Sequence, residues 1–289
     1  MARADRIRNV DPSFRNWVKP GPMPDLEAMH TVPLEEGETL DAISGHWRIF
    51  QLRQGHRFST DDILTAWYGT SWCPSARRVL DLGSGIGSVA LVAAWRLPFS
   101  SFVTVEAQEA SVALARKSVA YNGVGDRFDV RLGDIRDEDV FAGDEPFDLV
   151  LGSPPYFPPE TGPISDHPQR AACRFELRGD IVDYCAAAAP RLAPGGVFAC
   201  VFPVRPEHQR QRVFDAARAA GLCVVRWRPV ALRAADGPLL GLFLMQRASD
   251  LPEAMRERCW EEPTLEVRDT NLEIHPEYLA VKLAFGFPP

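Results

Sequence analysis

From Arg77 onward the chain alternates short apolar runs with longer amphipathic ones. Val79-Leu80-Asp81-Leu82 reads as a strand, followed by a glycine turn and a helical run from Ser88 to Trp95. Phe102 to Glu106 is the next strand and Ala107 to Asn122 the next helix. Phe128 to Leu132 and Phe147 to Leu151 follow as strands, then a helix from Ile181 to Arg191 and a strand from Val197 to Phe202. A helix from Pro206 to Ala220 and strands near 222–230 and 239–246 complete the series. Strands alternating with helices of this length predict an α/β fold: a doubly wound, mostly parallel sheet with helices on both faces.

Upstream the pattern is different. Residues 1–36 carry Pro12, Pro20, Pro22, Pro24 and Pro33 and no clear period, which predicts a partly ordered N-terminal arm or strap. From Glu38 to Trp67 the pattern tightens. Trp47 to Leu52 alternates as a strand does, and Ser59 or Thr60 is placed to cap a helix through Asp61 to Trp67. There is no internal repeat. One domain is expected over 37–289, with 37–70 as a lid segment, 77–248 as the core and 249–289 as its C-terminal completion.

Composition narrows the function classes. With 289 residues, 46% hydrophobic and 25% charged, the chain is neither a disordered tail nor a coiled coil. Its longest apolar runs, such as Leu239 to Met245, stop far short of the roughly 20 residues of a membrane helix. Arg3, Arg6 and Arg8 stand near the start without a signal-peptide apolar stretch, and Asp5 speaks against a transit peptide, so a cytoplasmic protein is expected. The six cysteines are scattered and the six histidines unclustered, so no metal site is expected. A net charge of −7 argues against a uniformly basic surface. Locally, seven arginines (205, 210, 212, 218, 226, 228, 233) face only Glu207 and Asp215 between 205 and 233. They form either a nucleic-acid face or an ordinary solvated surface.

The candidate chemistry begins at Asp81-Leu82-Gly83-Ser84-Gly85-Ile86-Gly87, at a strand-to-helix turn. Glycines there let a ligand approach the backbone. A dinucleotide fingerprint would put glycine at 88, where this chain has Ser88. Glu106 closes the next strand, where a carboxylate can accept from two ribose hydroxyls, and Asp134 ends the third, suited to an adenine amino group. This order of glycine loop, second-strand carboxylate and third-strand Asp resembles the S-adenosylmethionine site of class I methyltransferases with their Rossmann-like fold. The resemblance implies cofactor contacts from Asp81, Gly83, Gly85, Gly87, Glu106 and Asp134. Acidic residues around the loop suit a sulfonium cation.

After the fourth strand comes Gly152-Ser153-Pro154-Pro155-Tyr156-Phe157. An exocyclic amine on a base is a poor nucleophile because its lone pair is delocalised into the ring. Two acceptors aimed at its N–H bonds favour the pyramidal nitrogen that attacks a methyl group. Here these are the Ser153 hydroxyl and the Pro154 carbonyl, with Pro155 stiffening the turn and Tyr156 offering a face for a planar substrate.

The run Thr39 to Ile43, Phe50-Gln51-Leu52 and Gly55 to Leu64 is similar to the N-terminal signature of the bacterial tRNA(Val) adenine-N6 methyltransferase-like family. The likeness continues through Asp81–Gly87, Glu106, Asn122, Asp134, Ser153–Tyr156 and Arg170 to Glu176, and reaches Tyr278. It implies that Asp61 and Ser153 also face the cofactor and that adenine in tRNA is the acceptor. Arg170, Arg174 and Arg178 are candidates for phosphate contact, with Glu176 and Asp180 as competing partners; the 205–233 arginines are further candidates. Trp227 and Trp260 are candidates for stacking on bases or for packing. Ser153 is the departure, since the tRNA enzymes usually carry Asn there. That leaves methylation of a protein glutamine or a small molecule, or a catalytically reduced RNA- or partner-binding scaffold, as competing readings. A monomer or weak homodimer is expected.

Overall fold

Within single strands, successive side chains go to opposite layers, and this alternation builds the molecule. A computed structural model describes residues 13–14, 17–24, 27, 31–158 and 167–289. The strands are β1 (Ser13–Phe14), β2 (Trp17–Val18), β3 (Glu38–Ala42), β4 (Arg48–Leu52), β5 (Arg78–Leu82), β6 (Ser101–Glu106), β7 (Phe128–Leu132), β8 (Phe147–Gly152), β9 (Leu192–Pro203), β10 (Leu222–Ala231), β11 (Leu240–Arg247), β12 (Trp260–Glu261) and β13 (Leu265–Glu266). The helices are α1 (Thr60–Trp72), α2 (Ser88–Arg96), α3 (Glu109–Tyr121), α4 (Pro168–Arg174), α5 (Ile181–Ala188), α6 (Glu207–Ala219) and α7 (Pro276–Ala284).

The main sheet has the order β12-β10-β11-β9-β8-β5-β6-β7, with β13 also on β10. Strands β7, β6, β5, β8 and β9 run parallel, and β11 is antiparallel to both β9 and β10. Val79, Leu149, Leu151 and Ala199 face one layer with α1, α2 and α3. Leu80, Leu82, Val150 and Phe198 face the other with α5 and α6. The doubly wound expectation is met. Chain order reverses between β5 and β8, so a crevice opens beyond their carboxyl ends, where such folds take ligands.

Several boundaries differ from the sequence expectation. The helix expected from Ala107 starts at Glu109, because Gln108 lends its N–H to the Glu106 carboxylate first. The run 181–191 leaves the α-conformation after Ala188, with Pro190 in a short 3₁₀ turn. The strand expected over 197–202 extends from Leu192 to Pro203. Strand β3, helix α4 and the elements after 259 were not among the elements expected from the sequence.

The hairpin of β3 and β4 stands outside the main sheet, docked on α3. Asn122 takes the place of a neighbouring strand: its Oδ1 accepts from Arg48 N at 2.9 Å and its Nδ2 donates to Arg48 O at 2.7 Å. Ser118 Oγ accepts from Phe50 N at 2.9 Å. Part of the expected arm, residues 1–12, 15–16, 25–26 and 28–30, lies outside the described residues. Where the arm is described, the Lys19 carbonyl accepts from His46 Nε2 at 3.1 Å, and Gly21 lies against the Trp95 indole. No helix among the described residues is long and apolar enough to cross a membrane.

Candidate active site

Helix α1 begins with a capping box. Ser59 Oγ accepts from Asp61 N at 3.3 Å and from the N3 backbone, and Asp62 Oδ2 accepts from Ser59 N at 2.8 Å. This turn sets two adjacent carboxylates at the rim and floor of the crevice. Across it, Gly83, Gly85 and Gly87 have φ of 59°, 55° and 80°, a backbone region that disfavours side chains. Gly83 and Gly152 both lie under the ring of Tyr184 from α5, where a Cβ would clash. Gly85 is different: a Cβ there would meet no described atom within 4 Å, because it would project into open cavity.

That cavity measures about 360 Å³ and is walled by Asp61, Asp62, Asp81 and Glu106 on one side and by Ser153 to Phe157 on another. Asp81 is buried and accepts from Ala90 N at 3.1 Å. Burial pushes its carboxyl well above the usual range, with Asp62 and Glu106 adding like charge. Burial also raises Asp61 and Glu106, and it brings Asp62 up to about 6. Glu106 accepts from Gly85 N at 2.9 Å and Gln108 N at 2.7 Å, with the Gln108 side chain also beside it. A carboxylate has about four lone-pair sites, so acceptor capacity remains. The carboxylates make this wall of the cavity acidic, while Arg174 and Arg178 also line the cavity.

The loop after β8 is stapled in place. Tyr156 N and Phe157 N both donate to Arg174 O, at 3.2 and 3.1 Å, and Glu176 N donates to Phe157 O at 2.9 Å. The Tyr156 hydroxyl donates to Asp61 Oδ2 at 2.7 Å, and the Ser153 side chain lies beside it. The Tyr156 ring meets Phe202 edge-on, centroids 5.9 Å apart. Tyr156 is thus a strut across the crevice, whereas Phe157 beside it is 40% exposed.

Asp134 departs from its expected place. It lines the adjoining cleft of about 640 Å³, not the main cavity, while its neighbours Gly133 and Ile135 line the latter. Arg136 holds it at 2.6 and 2.9 Å, and that bond chiefly keeps its carboxyl below the usual range. The local excess of arginines is also largely neutralised in place. Arg210, Arg212, Arg218, Arg226 and Arg228 pair with Glu207, Glu176, Asp215, Glu262 and Glu277. Arg212 also reaches Asp180, so it takes both carboxylates that Arg170, Arg174 and Arg178 were expected to compete for. Trp227 is buried against Phe243, and Trp260 is exposed on β12. Arg57 pairs with Asp41 away from the cavity.

Arg174 and Arg178 line the cavity, and Arg170 donates to the Gln54 carbonyl at 2.8 Å. His56 also lines the cavity. Burial holds it toward the neutral form; Asp61 opposes this, and Arg170 and Arg174 reinforce it. Sequence reasoning missed Asp62, Gln108, Cys173 and Tyr184 in the lining. The capping box at Asp62 was a readable signal. Tyr184 had none, because its contact with Gly83 spans the fold. No cluster of metal-ligating side chains occurs among the described residues.

Residues 69–162 match the family model described as the methyltransferase small domain. A tRNA1(Val) (adenine(37)-N6)-methyltransferase of Shewanella amazonensis is 32% identical over 154 residues, 53% of this chain and 63% of that protein. One of Tolumonas auensis is 28% identical over 238 residues, 81% of this chain and 92% of its own. In three relatives of this name, the matched stretch takes in 58%, 59% and 63% of their length. A crystal structure described as a predicted O-methyltransferase from Agrobacterium tumefaciens superimposes with a TM-score of 0.59 at 17% identity. It covers 79% of this chain and 98% of that one, a likeness of fold.

Proposed function

We propose that this chain, which matches the methyltransferase small-domain model over residues 69–162, transfers a methyl group from S-adenosylmethionine to the exocyclic amine of an adenine in tRNA. One observation carries the reading: the carboxylate-walled cavity over Gly85 and the Ser153–Tyr156 loop are walls of the same space. The cavity suits the cofactor because Gly85 leaves open a cradle that a side chain would fill and because Asp61, Asp62, Asp81 and Glu106 favour positive charge. Gly83, Gly85 and Gly87 give the close backbone approach, Glu106 has acceptor capacity for a ribose diol, and Gly133 and Ile135 flank the adenine end. Asp134 joins them if Arg136 releases it. Bound there, S-adenosylmethionine supplies a methyl group made electrophilic by the sulfonium.

The chain's own part is to present the amine. Asp61, when ionised, only accepts, so the Tyr156 hydroxyl donates to it and leaves the phenol oxygen as an acceptor for the neighbouring Ser153 hydroxyl. With its single proton committed, Ser153 Oγ keeps its lone pairs for an incoming N–H. A serine held in this way does the work of the Asn found in the tRNA enzymes. The Pro154 carbonyl is the second acceptor, fixed by Pro155 and by the staple to Arg174. The amine proton leaves after transfer, so no general base is required. Arg174 and Arg178, and more distantly Arg170, give the mouth a positive rim for the RNA backbone, so the RNA meets this rim more than the paired 205–233 arginines. In this reading 77–248 form the catalytic core, 37–70 the lid and 249–289 its completion, and the enzyme works beside its substrate in the cytoplasm.

The test is transfer from labelled S-adenosylmethionine into separated tRNA, rRNA, DNA and protein from cells lacking the gene, with mass spectrometry of the modified unit. N6-methyladenosine in tRNA is the expected product. Label in protein glutamine, or in no macromolecule despite cofactor binding, overturns the substrate.

A further inference from the structure

Arg212 lies on α6, within the arginine run that composition alone made a candidate nucleic-acid face. It points instead toward the catalytic loop. One of its terminal nitrogens lies 2.7 Å from Glu176 Oε1 and 3.4 Å from Asp180 Oδ2, and the other donates to Gln209 Oε1 at 3.1 Å. Its guanidinium also sits 5.5 Å from the centre of the Phe202 ring. We propose that Arg212 is a positioning residue that holds the Ser153–Phe157 loop and the glycine loop in register, a role that rests on the methyl-transfer reading above.

Three routes lead from this guanidinium to the site. Glu176, its side chain only 10% exposed, carries the backbone N–H that donates to Phe157 O. Two residues earlier, Arg174 O receives the N–H groups of Tyr156 and Phe157. Asp180 caps α5 through bonds to Val182 N and Asp183 N at 2.8 and 3.2 Å, and α5 sets the Tyr184 ring over Gly83 and Gly152. Phe202, beneath the guanidinium, meets Tyr156 edge-on at 5.9 Å.

Charge explains why an arginine is needed. Glu176 and Asp180 are like charges drawn to one point, and a planar fork with several donors can hold both while still bonding Gln209. A lysine offers a compact charge that favours one carboxylate at a time. Without the cation, repulsion separates the two carboxylates, and segment 174–180 moves with the loop hung on it. A shift of about 1 Å in a group that orients the acceptor costs on the order of 100-fold in turnover.

The experiment compares Arg212→Met and Arg212→Lys in the full chain with Arg218→Gln, whose side chain is exposed and pairs along the same helix. Hydrogen exchange at the amides of Tyr156, Phe157 and Glu176, which needs no substrate, is read beside kcat, KM for tRNA and the salt dependence of tRNA binding. For Arg212→Met, exchange at the three amides should rise about tenfold and kcat should fall about 10- to 100-fold, with KM and the salt slope unchanged. Arg212→Lys should fall between this variant and the wild type, and Arg218→Gln should match the wild type. Glu176→Gln relieves the like charge and keeps the backbone bonds, so Arg212→Met/Glu176→Gln should show exchange between Arg212→Met and the wild type, and it serves if Arg212→Met alone does not fold. A phosphate contact would instead raise KM, spare kcat and make the salt slope shallower by about one, which would overturn the proposal. Unchanged exchange overturns it as well. If the wild-type protein methylates no tRNA, the functional reading fails while exchange still decides the role of Arg212.

Discussion

Replacing Tyr156 with Phe removes one oxygen and leaves the ring against Phe202 and Phe157. The lost bond is the 2.7 Å donation to Asp61, a carboxylate whose pKa burial has raised and this bond lowers. A hydrogen bond to a charged, partly buried acceptor contributes about 1.5–3 kcal/mol. For a chain of this size each kcal/mol moves Tm by about 2–4 °C, so Tyr156→Phe should melt roughly 3–12 °C lower at pH 8. The pH dependence has a definite sign. Without the phenol, the folded-state pKa of Asp61 rises further above its unfolded value. A carboxyl raised on folding contributes stability below its unfolded pKa and loses it as pH rises through the folded one. The deficit of Tyr156→Phe should therefore be largest at alkaline pH and shrink as acid neutralises Asp61. Scanning calorimetry from pH 8 to pH 5, on the single variants and on Asp61→Asn/Tyr156→Phe, measures both the size and the slope. A Tm within 1 °C of the wild type at pH 8, a deficit that grows on acidification, or additive effects in the double variant would refute the strut across the crevice.

Four further outcomes follow from the same geometry. Gly85→Val should abolish cofactor binding by calorimetry yet shift Tm by only a few degrees, since its side chain enters open cavity and carries about 1–2 kcal/mol of backbone strain. Asp62→Asn should stabilise the free protein above pH 6 and not near pH 4. The carboxyl raised from 3.8 to about 6 withholds up to about 3 kcal/mol once ionised, and the thermal shift between pH 4 and pH 8 measures it. In the wild type, the preference for S-adenosylmethionine over its uncharged demethylated product should increase as pH rises through about 6, and this rise should flatten in Asp62→Asn, as titration calorimetry of both ligands would show. Ser153→Ala should lower kcat about 100-fold with cofactor affinity unchanged, whereas Ser153→Asn should retain activity in the labelled-methyl assay.

The sequence by itself determined which segments form strands and helices, the order of the glycine loop, Glu106 and the Ser153–Tyr156 loop, and their placement at strand ends. These are local properties. A period of two or 3.6 residues is written in neighbours, and glycines at 83, 85 and 87 announce a turn that few other residues adopt. Short elements such as β12, β13 and α4 escaped because two to seven residues hold too little period, and their stability comes from what they pair with. The tertiary structure alone decided the partners of long polar side chains. Arg212 took Glu176 and Asp180, Tyr156 reached Asp61, and Tyr184 filled the space that keeps 83 and 152 glycine. The physical reason is range. Hydrophobic periodicity acts along a few residues of chain, whereas an ion pair or a raised pKa depends on which charges folding brings within a few ångströms and how much water it removes.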